Sequence, residues 1–507
     1  MDKITVLDFG GQYCHLISRR VRELGVYCEV LPSDTSAAEL KAMDGLRGVI
    51  LSGGAASVYD ESSPAYSPDI LEAGVPILGI CYGHQLLAHI GGGRVSGGKV
   101  GEYGLTSLKV KDSRGLLAGV GVKSDVWMNH RDIVAKLPAG YRVLASTRHS
   151  PIAAYANDKS RIFGVQFHPE VTHTAKGMRM LGNFVRLCKA KSDWTMKDVI
   201  GKSVEEARET IGAGKAIIGL SGGVDSSTAA VLLSRAIGER LTAVYVDTGL
   251  MRHGETEFME KAFGGRKMDF RVVRAADRFF AALKGVEEPE RKRKIIGALF
   301  IEIFDEAASE VGAEYLVQGT IYSDRIESGI TRHSDNIKSH HNVGGLPKDM
   351  KLKVYEPLRD LYKDEVRAMA RQLRLPDAII TRHVFPGPGL GIRILGEVTP
   401  EKAEICRQAG RIVEEELRKA GVYEKYWMGF AVLLPVKSVG IQGDSRTYKC
   451  PVVIRIIESK DAMTANFSKV PYQILEAIST RITNEIQEVN RVVYDITNKP
   501  PATMEWE

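Results

Sequence analysis

Cysteine is scarce and scattered in this chain of 507 residues, which has six cysteines and no C-x-x-C pair. A disulfide framework or a structural zinc site would place its cysteines at short, repeated spacings. The observed spacing excludes both and is typical of a protein from a reducing compartment, so we expect a cytoplasmic protein. The cysteines are Cys14, Cys28, Cys81, Cys188, Cys406 and Cys450.

Long apolar runs and a strong charge imbalance are also missing. No window approaches the ~18 apolar residues that a membrane-spanning helix needs, and the N-terminus lacks the pattern of a signal peptide. The 69 Lys and Arg residues against 63 Asp and Glu residues leave a net charge of +6. This weak basic bias falls short of a nucleic-acid-binding surface. We therefore expect small-molecule substrates, anionic ones in particular, and neither nucleic acid nor a membrane as partner.

Short apolar strands alternate with helical patterns through most of the chain, which predicts βαβ units and parallel sheets. The pattern breaks into polar sequence near residue 190, and a Pro/Gly-rich segment at 385–389 precedes strands of a different type. We predict an α/β protein with two doubly wound parallel-sheet domains, at residues 1–190 and 191–385. A small α+β domain is predicted at 386–507. Ligands of parallel sheets bind at the carboxyl ends of the strands.

One cysteine lies between two glycines where a predicted strand meets a helix, in Gly79-Ile80-Cys81-Tyr82-Gly83. This is the pattern of a nucleophile elbow, and the positive end of the following helix favours a thiolate. A lone cysteine is more often a core thiol. Here, however, Gln166-Phe167-His168-Pro169-Glu170 follows another apolar strand and supplies a base, His168, with a carboxylate, Glu170, to orient it. The combination predicts a catalytic triad.

These two segments resemble the motifs of class I glutamine amidotransferases, which hydrolyse glutamine to glutamate and ammonia through a thioester. The resemblance implies that Cys81 is the nucleophile and His168 the general base and acid. It also implies an oxyanion hole formed by the backbone amides of Gly54 and Tyr82, and a glutamine contact at Gln85.

A second glycine-rich turn joins a strand to a helix at Ser221-Gly222-Gly223-Val224-Asp225-Ser226-Ser227. Such a turn directs several backbone N–H groups toward one anion, and the Walker A pattern is absent. The segment resembles the pyrophosphatase loop of enzymes that use ATP to adenylate a carbonyl oxygen. The resemblance implies that the seven residues bind ATP. Phosphate charge calls for a divalent cation, and we expect Mg²⁺ held partly by Asp225.

Further segments resemble the guanosine monophosphate synthetase family: residues 292–297, 318–322, 338–347, 385–390 and 499–507. The resemblance implies that ammonia from the first site aminates xanthosine 5′-monophosphate (XMP) after its adenylation. It implies XMP contacts at Arg293, Asp444, Lys499 and Glu505. It also implies a homodimer formed through the C-terminal domain.

Residues 322–351 are polar and glycine-rich without clear periodicity, and a loop of that length is usually functional or mobile. The resemblance implies a lid that shields the adenylated purine from water. The residues assigned to this lid are Asp324, Glu327, Lys338, His340 and His341.

Two other functions remain open. The chain could adenylate another acceptor, as an RNA thiolase or a different amidotransferase does. A thiolase needs a second reactive cysteine near the ATP loop, but Cys188, Cys406 and Cys450 do not lie in such a motif, and the basic patch is too small for RNA. It could also be a catalytically dead sensor of glutamine or nucleotide, which the intact triad argues against. Pyrophosphate release with candidate acceptors discriminates among them.

Overall fold

The structure is a computed structural model that describes residues 1–60, 63–322, 324, 352–459 and 464–507. The chain divides into two compact units, Met1–Val199 and Ile200–Glu507. The three-domain division at residues 190 and 385 stays a prediction. Within the described ranges, no helix is long and apolar enough to cross a membrane.

The first unit is built on a nine-stranded mixed sheet, in the order β2-β1-β3-β4-β9-β8-β7-β5-β6. The strands β2-β1-β3-β4-β9 are parallel, and the remaining strands extend the sheet in antiparallel fashion. The strands are β1 (Lys3–Asp8), β2 (Tyr27–Pro32), β3 (Leu46–Leu51), β4 (Ile77–Ile80), β5 (Arg94–Val110), β6 (Lys123–Lys136), β7 (Arg142–Ser146), β8 (Ala154–Asn157) and β9 (Ile162–Val165). The helices are α1 (Cys14–Glu23), α2 (Ala37–Ala42), α3 (Tyr82–Ile90) and α4 (Gly177–Leu187).

The parallel part of this sheet forms the core and positions the first site. Every residue of β4 and β9 is buried, as expected for strands covered on both faces. The two strands are neighbours in parallel register, with Ile80 opposite Val165. The residues that follow them therefore emerge at the same edge of the sheet.

The second unit begins with a five-stranded, all-parallel sheet in the order β12-β11-β10-β13-β14. Its central strand, β10, is apolar and leads directly into the Ser221 loop. The strands are β10 (Ala216–Gly219), β11 (Leu241–Asp247), β12 (Asp269–Arg274), β13 (Tyr315–Val317) and β14 (Lys353–Tyr355). The helices are α5 (Met196–Ile211), which spans the boundary between the units, α6 (Val224–Ile237), α7 (Glu255–Phe263), α8 (Ala276–Leu283), α9 (Pro289–Val311), α10 (Lys363–Gln372) and α11 (Asp377–Ile380).

The last part of the chain is a mixed sheet around the long strand β17, against which two helices pack. The elements are α12 (Pro400–Lys419), β15 (Met428–Leu433), β16 (Ser438–Gln442), β17 (Ser445–Glu458), β18 (Asn466–Phe467), α13 (Tyr472–Glu485) and β19 (Val489–Tyr494). Together with the parallel sheets upstream, this arrangement confirms the predicted α/β class with a small C-terminal α+β part. The nine-stranded sheet is mixed, however, because the antiparallel β5–β6 hairpin and its neighbours extend it.

Candidate active sites

Cys81 occupies the sharp turn between β4 and α3. Its backbone has φ 52° and ψ −102°, a conformation that non-glycine residues rarely adopt and that marks functional strain. A β-carbon on Gly79 would overlap the Gly83 backbone, and one on Gly83 would overlap the Leu51 carbonyl. Both flanking glycines are therefore required by the packing of the elbow. The helix begins at Tyr82, so Cys81 lies directly at its N-terminus.

His168 and Glu170 follow β9 and form a buried pair, with His168 Nδ1 at 2.7 Å from Glu170 Oε1. Among the described residues, the other ring nitrogen, Nε2, has no hydrogen-bond partner. Burial lowers the pKa of His168, but the Glu170 carboxylate and the Cys81 thiol outweigh it and raise that pKa to about 10. The pair therefore favours an imidazolium next to the thiol, which suits proton transfer to a leaving amine.

Three further residues hold the triad in place, and the sequence analysis missed them. A β-carbon on Gly53 would lie 3.2 Å from His168 Cε1 and 3.6 Å from Cys81 Cβ, so this glycine borders both catalytic groups. Thr174 Oγ1 donates to the His168 carbonyl oxygen over 2.6 Å. Arg20 Nε donates to the Glu170 carbonyl oxygen over 3.0 Å. Their signal in the sequence is weak because Gly53 acts by lacking a side chain, and the side chains of Thr174 and Arg20 bind backbone carbonyl groups, which no motif marks.

Gly54 and Tyr82, the predicted oxyanion residues, lie at the ends of neighbouring parallel strands. A β-carbon on Gly54 would lie 3.3 Å from the Tyr82 ring, which brings the two residues together. Tyr82 is the first residue of α3, and a helix leaves the N–H groups of its first turn without acceptors in the helix. Such an amide is available to an anion.

Gln85 is buried one helical turn beyond Cys81, and its side-chain amide is already engaged. Its Nε2 donates to the Asp132 carbonyl oxygen over 2.8 Å and to Gln166 Oε1 over 3.2 Å. The same strand, β6, places the Asn129 carbonyl oxygen 3.6 Å from Cys81 Sγ. Gln85 therefore fixes β6 next to the nucleophile, and its contact with glutamine stays a prediction.

The second site is the turn between β10 and α6. Gly222 has φ +74°, and Gly223 precedes the first helical residue, Val224. The hydroxyls of Ser221 and Ser226 lie 3.1 Å apart. The first turn of α6 thus points backbone N–H groups and serine hydroxyls toward one region, which suits phosphate oxygens. Ser227 Oγ is buried without a hydrogen-bond partner in the described chain.

Asp225 carries the charge of this loop, and Lys363 is its partner. Lys363 Nζ, at the start of α10, lies 2.5 Å from Asp225 Oδ2. The other oxygen, Oδ1, is buried and has no hydrogen-bond partner among the described residues. In the same ranges, no group of three or more His, Cys, Asp and Glu side chains could hold a metal. One unpaired carboxylate oxygen fits Mg²⁺ that takes its remaining ligands from phosphate and water.

A buried ion pair supports the loop from the opposite side. Arg382 Nη1 donates to the Gly222 carbonyl oxygen over 3.0 Å and lies 2.6 Å from Glu255 Oε1. Glu255 is 3% exposed, and its other oxygen, Oε2, accepts a hydrogen bond from the Arg252 backbone amide over 3.3 Å. A β-carbon on Gly222 would overlap the Glu255 carboxylate. The pair thus fixes the backbone of the loop, and the sequence analysis missed both residues.

Arg293 and Glu505, two of the predicted XMP contacts, lie at the C-terminal segment of the chain. Arg293 Nη2 donates to the Glu507 carbonyl oxygen. Glu505 accepts two hydrogen bonds from Arg393, at 2.8 and 2.9 Å. The side chains of both residues are therefore engaged within the protein.

Lys499 is held through its backbone, which pairs with Ala465 at 2.7 and 3.0 Å. Asp444 is exposed at the tip of the β16–β17 hairpin, where Gly443 and Asp444 have φ 56° and 59°. These angles are typical of a type I′ turn, which favours glycine and aspartate for structural reasons. The XMP contacts at all four predicted residues stay predictions.

Asp324 Oδ2 accepts a hydrogen bond from the Ile321 backbone amide over 3.0 Å, at the beginning of the predicted lid. Glu327, Lys338, His340 and His341, the other predicted lid residues, lie outside the described residues.

Three family models match successive parts of the chain. They are glutamine amidotransferase class-I at residues 5–188, NAD synthase at 195–260 and GMP synthase C terminal domain at 415–506. The GMP synthase [glutamine-hydrolyzing] of Symbiobacterium thermophilum is 52% identical, over 100% of this chain and 99% of its own length. That of Aquifex aeolicus is 51% identical, over 99% of each chain.

The chain belongs to the glutamine-hydrolysing GMP synthase family. It is therefore an enzyme of the glutamine amidotransferase class, as the sequence predicted. Along the chain, the amidotransferase match contains Cys81, His168 and Glu170, and the NAD synthase match contains the Ser221 loop.

Proposed function

We propose that this chain aminates XMP to GMP with ATP and with ammonia that it releases from glutamine. The proposal rests on one observation. A single chain of this family contains both the Cys81–His168–Glu170 triad and the Ser221 loop, whose backbone N–H groups and hydroxyls suit phosphate. A glutaminase joined to an adenylating site delivers ammonia to an activated carbonyl. Both sites retain their reactive groups, so a catalytically dead sensor is not supported.

At the first site, Cys81 Sγ attacks the carboxamide carbon of glutamine, and the oxyanion accepts hydrogen bonds from the Gly54 and Tyr82 amides. His168 Nε2 gives its proton to the departing ammonia, and water then hydrolyses the thioester to glutamate. Glu170 holds the ring by its hydrogen bond to Nδ1 and stabilises the imidazolium. Nδ1 is thereby fixed as the protonated, non-reacting nitrogen.

At the second site, the Ser221–Ser227 loop binds the β- and γ-phosphates of ATP through backbone amides and hydroxyls. The purine O2 of XMP attacks the α-phosphorus, pyrophosphate leaves, and ammonia then displaces AMP from C2. Asp225 Oδ1 would hold Mg²⁺, which when bound neutralises charge on the departing pyrophosphate. Lys363 orients the Asp225 carboxylate and adds a cation next to the phosphates.

The nucleotide acceptor is assigned to the C-terminal segment, where Arg293 and Lys499 supply cations. A phosphate dianion needs such charged donors. Arg293 is next to Lys292, which is fully buried and bonded to Glu507 Oε2 at 2.5 Å. The segment is thus fixed onto α9 by its own end, and we assign Lys499, which precedes that end in the chain, to the substrate phosphate.

We assign the enzyme to the cytoplasm and propose that it is a homodimer formed through the C-terminal part. On the β16–β17 hairpin, Val439 and Tyr448 are cross-strand neighbours and are 51% and 61% exposed, and Ile441 is 75% exposed. Exposed apolar side chains next to one another favour association. A dimer in sedimentation equilibrium that dissociates in Val439→Asp/Ile441→Asp supports this assembly, and a monomeric wild-type chain contradicts it.

The decisive experiment is a product assay on the full chain with ATP, Mg²⁺, glutamine and XMP. We expect GMP, AMP, pyrophosphate and glutamate in equal amounts, and no pyrophosphate without XMP. Inosine monophosphate, which lacks the C2 oxygen, is the matched control and should give none. Pyrophosphate release with another acceptor, but not with XMP, would contradict the proposal.

A further inference from the structure

A concave cleft of about 810 Å³ lies at the C-terminal end of α6, within the second unit. Its volume is within the range of small-molecule binding sites. Five cationic side chains and one carboxylate line it: Arg208, Arg235, Arg240, Arg266, Lys267 and Glu239.

Three of these arginines are fixed by backbone carbonyl groups. Arg208 donates to the carbonyl oxygens of residues 235 and 236 at 3.0 and 3.1 Å. Arg266 donates to those of residues 262 and 374, both at 3.1 Å. Arg240 donates to those of residues 212 and 214. Carbonyl oxygens orient a guanidinium but leave its positive charge uncompensated.

Other arginines of the same unit do have carboxylate partners. Arg274 lies 2.8 Å from Glu260, and Arg278 lies 2.9 Å from both Glu302 and Glu306. None of the five cleft cations makes an ion pair with a described residue. The positive charge of the cleft is therefore a local feature and not a property of the whole surface.

Two contacts in the cleft affect its positive charge. Arg208 donates to two carbonyl oxygens of the last turn of α6, which offsets part of the negative charge at that end of the helix. Burial and the neighbouring Arg235 lower the pKa of Arg266. Clefts lined by charge of one sign attract ligands of the opposite sign.

The cleft is separate from the ATP loop. That loop lies at the N-terminus of α6 and the cleft at its C-terminus, and α6 has 14 residues. At 1.5 Å per residue, the two ends are about 20 Å apart. One triphosphate cannot contact both.

We propose that the cleft is a second anion site, which binds a compound carrying a chain of phosphate groups. Five cations against one carboxylate give a local charge of +4, which matches a triphosphate better than a single phosphate. Guanidinium groups pair with phosphate in fork geometry. Inorganic triphosphate and nucleoside triphosphates share this chemistry.

The test is calorimetric titration of the full chain with inorganic triphosphate, with the ATP loop saturated by pyrophosphate and Mg²⁺. The variant is Arg235→Ala/Lys267→Ala, because both side chains are exposed and neither donates a hydrogen bond to a described residue. The control is Lys202→Ala/Lys284→Ala, which removes the same charge from exposed positions outside the cleft. GMP synthesis in all three proteins verifies folding.

We expect wild type and control to bind one equivalent of triphosphate, and the cleft variant to bind it at least tenfold more weakly. Competition by a nonhydrolysable nucleoside triphosphate shows which of the two compounds the cleft prefers. If the nucleotide binds more tightly than inorganic triphosphate, the ligand is a nucleotide. If it binds more weakly, the ligand is an inorganic polyphosphate. Equal affinity in variant and control would overturn the proposal. Tighter binding of a single-stranded oligonucleotide would also overturn it, because the site would then be a nucleic-acid surface.

Discussion

Lys363 Nζ lies 2.5 Å from Asp225 Oδ2, so a lysine on α10 holds one carboxylate oxygen of the second residue of α6. The other oxygen stays buried and without a partner in the described chain. An uncompensated buried oxygen is costly unless a ligand completes it. Lys363 therefore contacts only Oδ2, and Oδ1 is the oxygen to which we assign Mg²⁺ in the proposed function.

Asp225→Asn is therefore expected to lose GMP synthesis from glutamine and from ammonium salts alike. An amide is a weaker ligand for a hard cation, and it also loses the ion pair with Lys363. The measurement is pyrophosphate release across a magnesium titration. Lys363→Met, which leaves the carboxylate, should retain part of the activity at high magnesium. Near-normal release by Asp225→Asn at ordinary magnesium contradicts the assignment.

Cys81→Ala should abolish glutamine-dependent synthesis and spare synthesis from ammonium salts. In the proposed mechanism the thiol serves only ammonia release, and the Ser221 loop is built from other residues. Cys188→Ala, which removes another buried thiol, is the control and should leave both rates unchanged. If the ammonia-dependent rate of Cys81→Ala falls as far as the glutamine-dependent rate, the two reactions do not use separate sites.

A site residue can be predicted from the sequence only when the residues that mark it lie next to it in the chain. Cys81 and His168 were predictable because glycines and apolar strands adjoin them in the chain. Lys363 and Arg382 were not, because they reach the Ser221 loop from 138 and 160 residues away. Nor does any local motif mark the long β5–β6 hairpin, because only three residues of β5 are buried and one of them is Glu102.

Glu170→Gln should shift the alkaline limb of glutamine hydrolysis to lower pH. The Glu170 carboxylate is the largest attraction that raises the pKa of His168, so the imidazolium that protonates ammonia persists as the pH rises. With a neutral amide, the ring loses its proton closer to its ordinary pKa, about 6.5. The pH profile of kcat, compared with Glu72→Gln as an exposed control, measures the shift. Superimposable alkaline limbs would show that Glu170 only positions the ring.

Arg455→Leu should destabilise the C-terminal segment by about 3–5 kcal/mol, the usual cost of leaving a buried charge unpaired. Arg455 is fully buried, lies 2.5 Å from Asp495 Oδ2 and donates to the carbonyl oxygens of Thr503 and Met504. Chemical denaturation followed by tryptophan fluorescence measures the loss. Arg446→Leu, on the exposed end of the same strand, should cost under about 0.5 kcal/mol. Similar values for the two variants would contradict this role.

Lys499→Ala should raise the half-saturating XMP concentration and leave basal glutaminase activity nearly unchanged. The backbone of Lys499 is fixed by its two hydrogen bonds to Ala465, so truncation of the side chain keeps the segment in place. A lost hydrogen bond to a charged phosphate costs about 1.5–3 kcal/mol, or roughly ten- to a hundred-fold in affinity.

The measurement is an XMP titration at saturating ATP. Lys469→Ala removes an exposed lysine from a nearby stretch of the same domain and should not change the titration. Because the backbone at Lys499 is held by Ala465, matching midpoints for Lys499→Ala and wild type would remove the Lys499 ammonium from the substrate site.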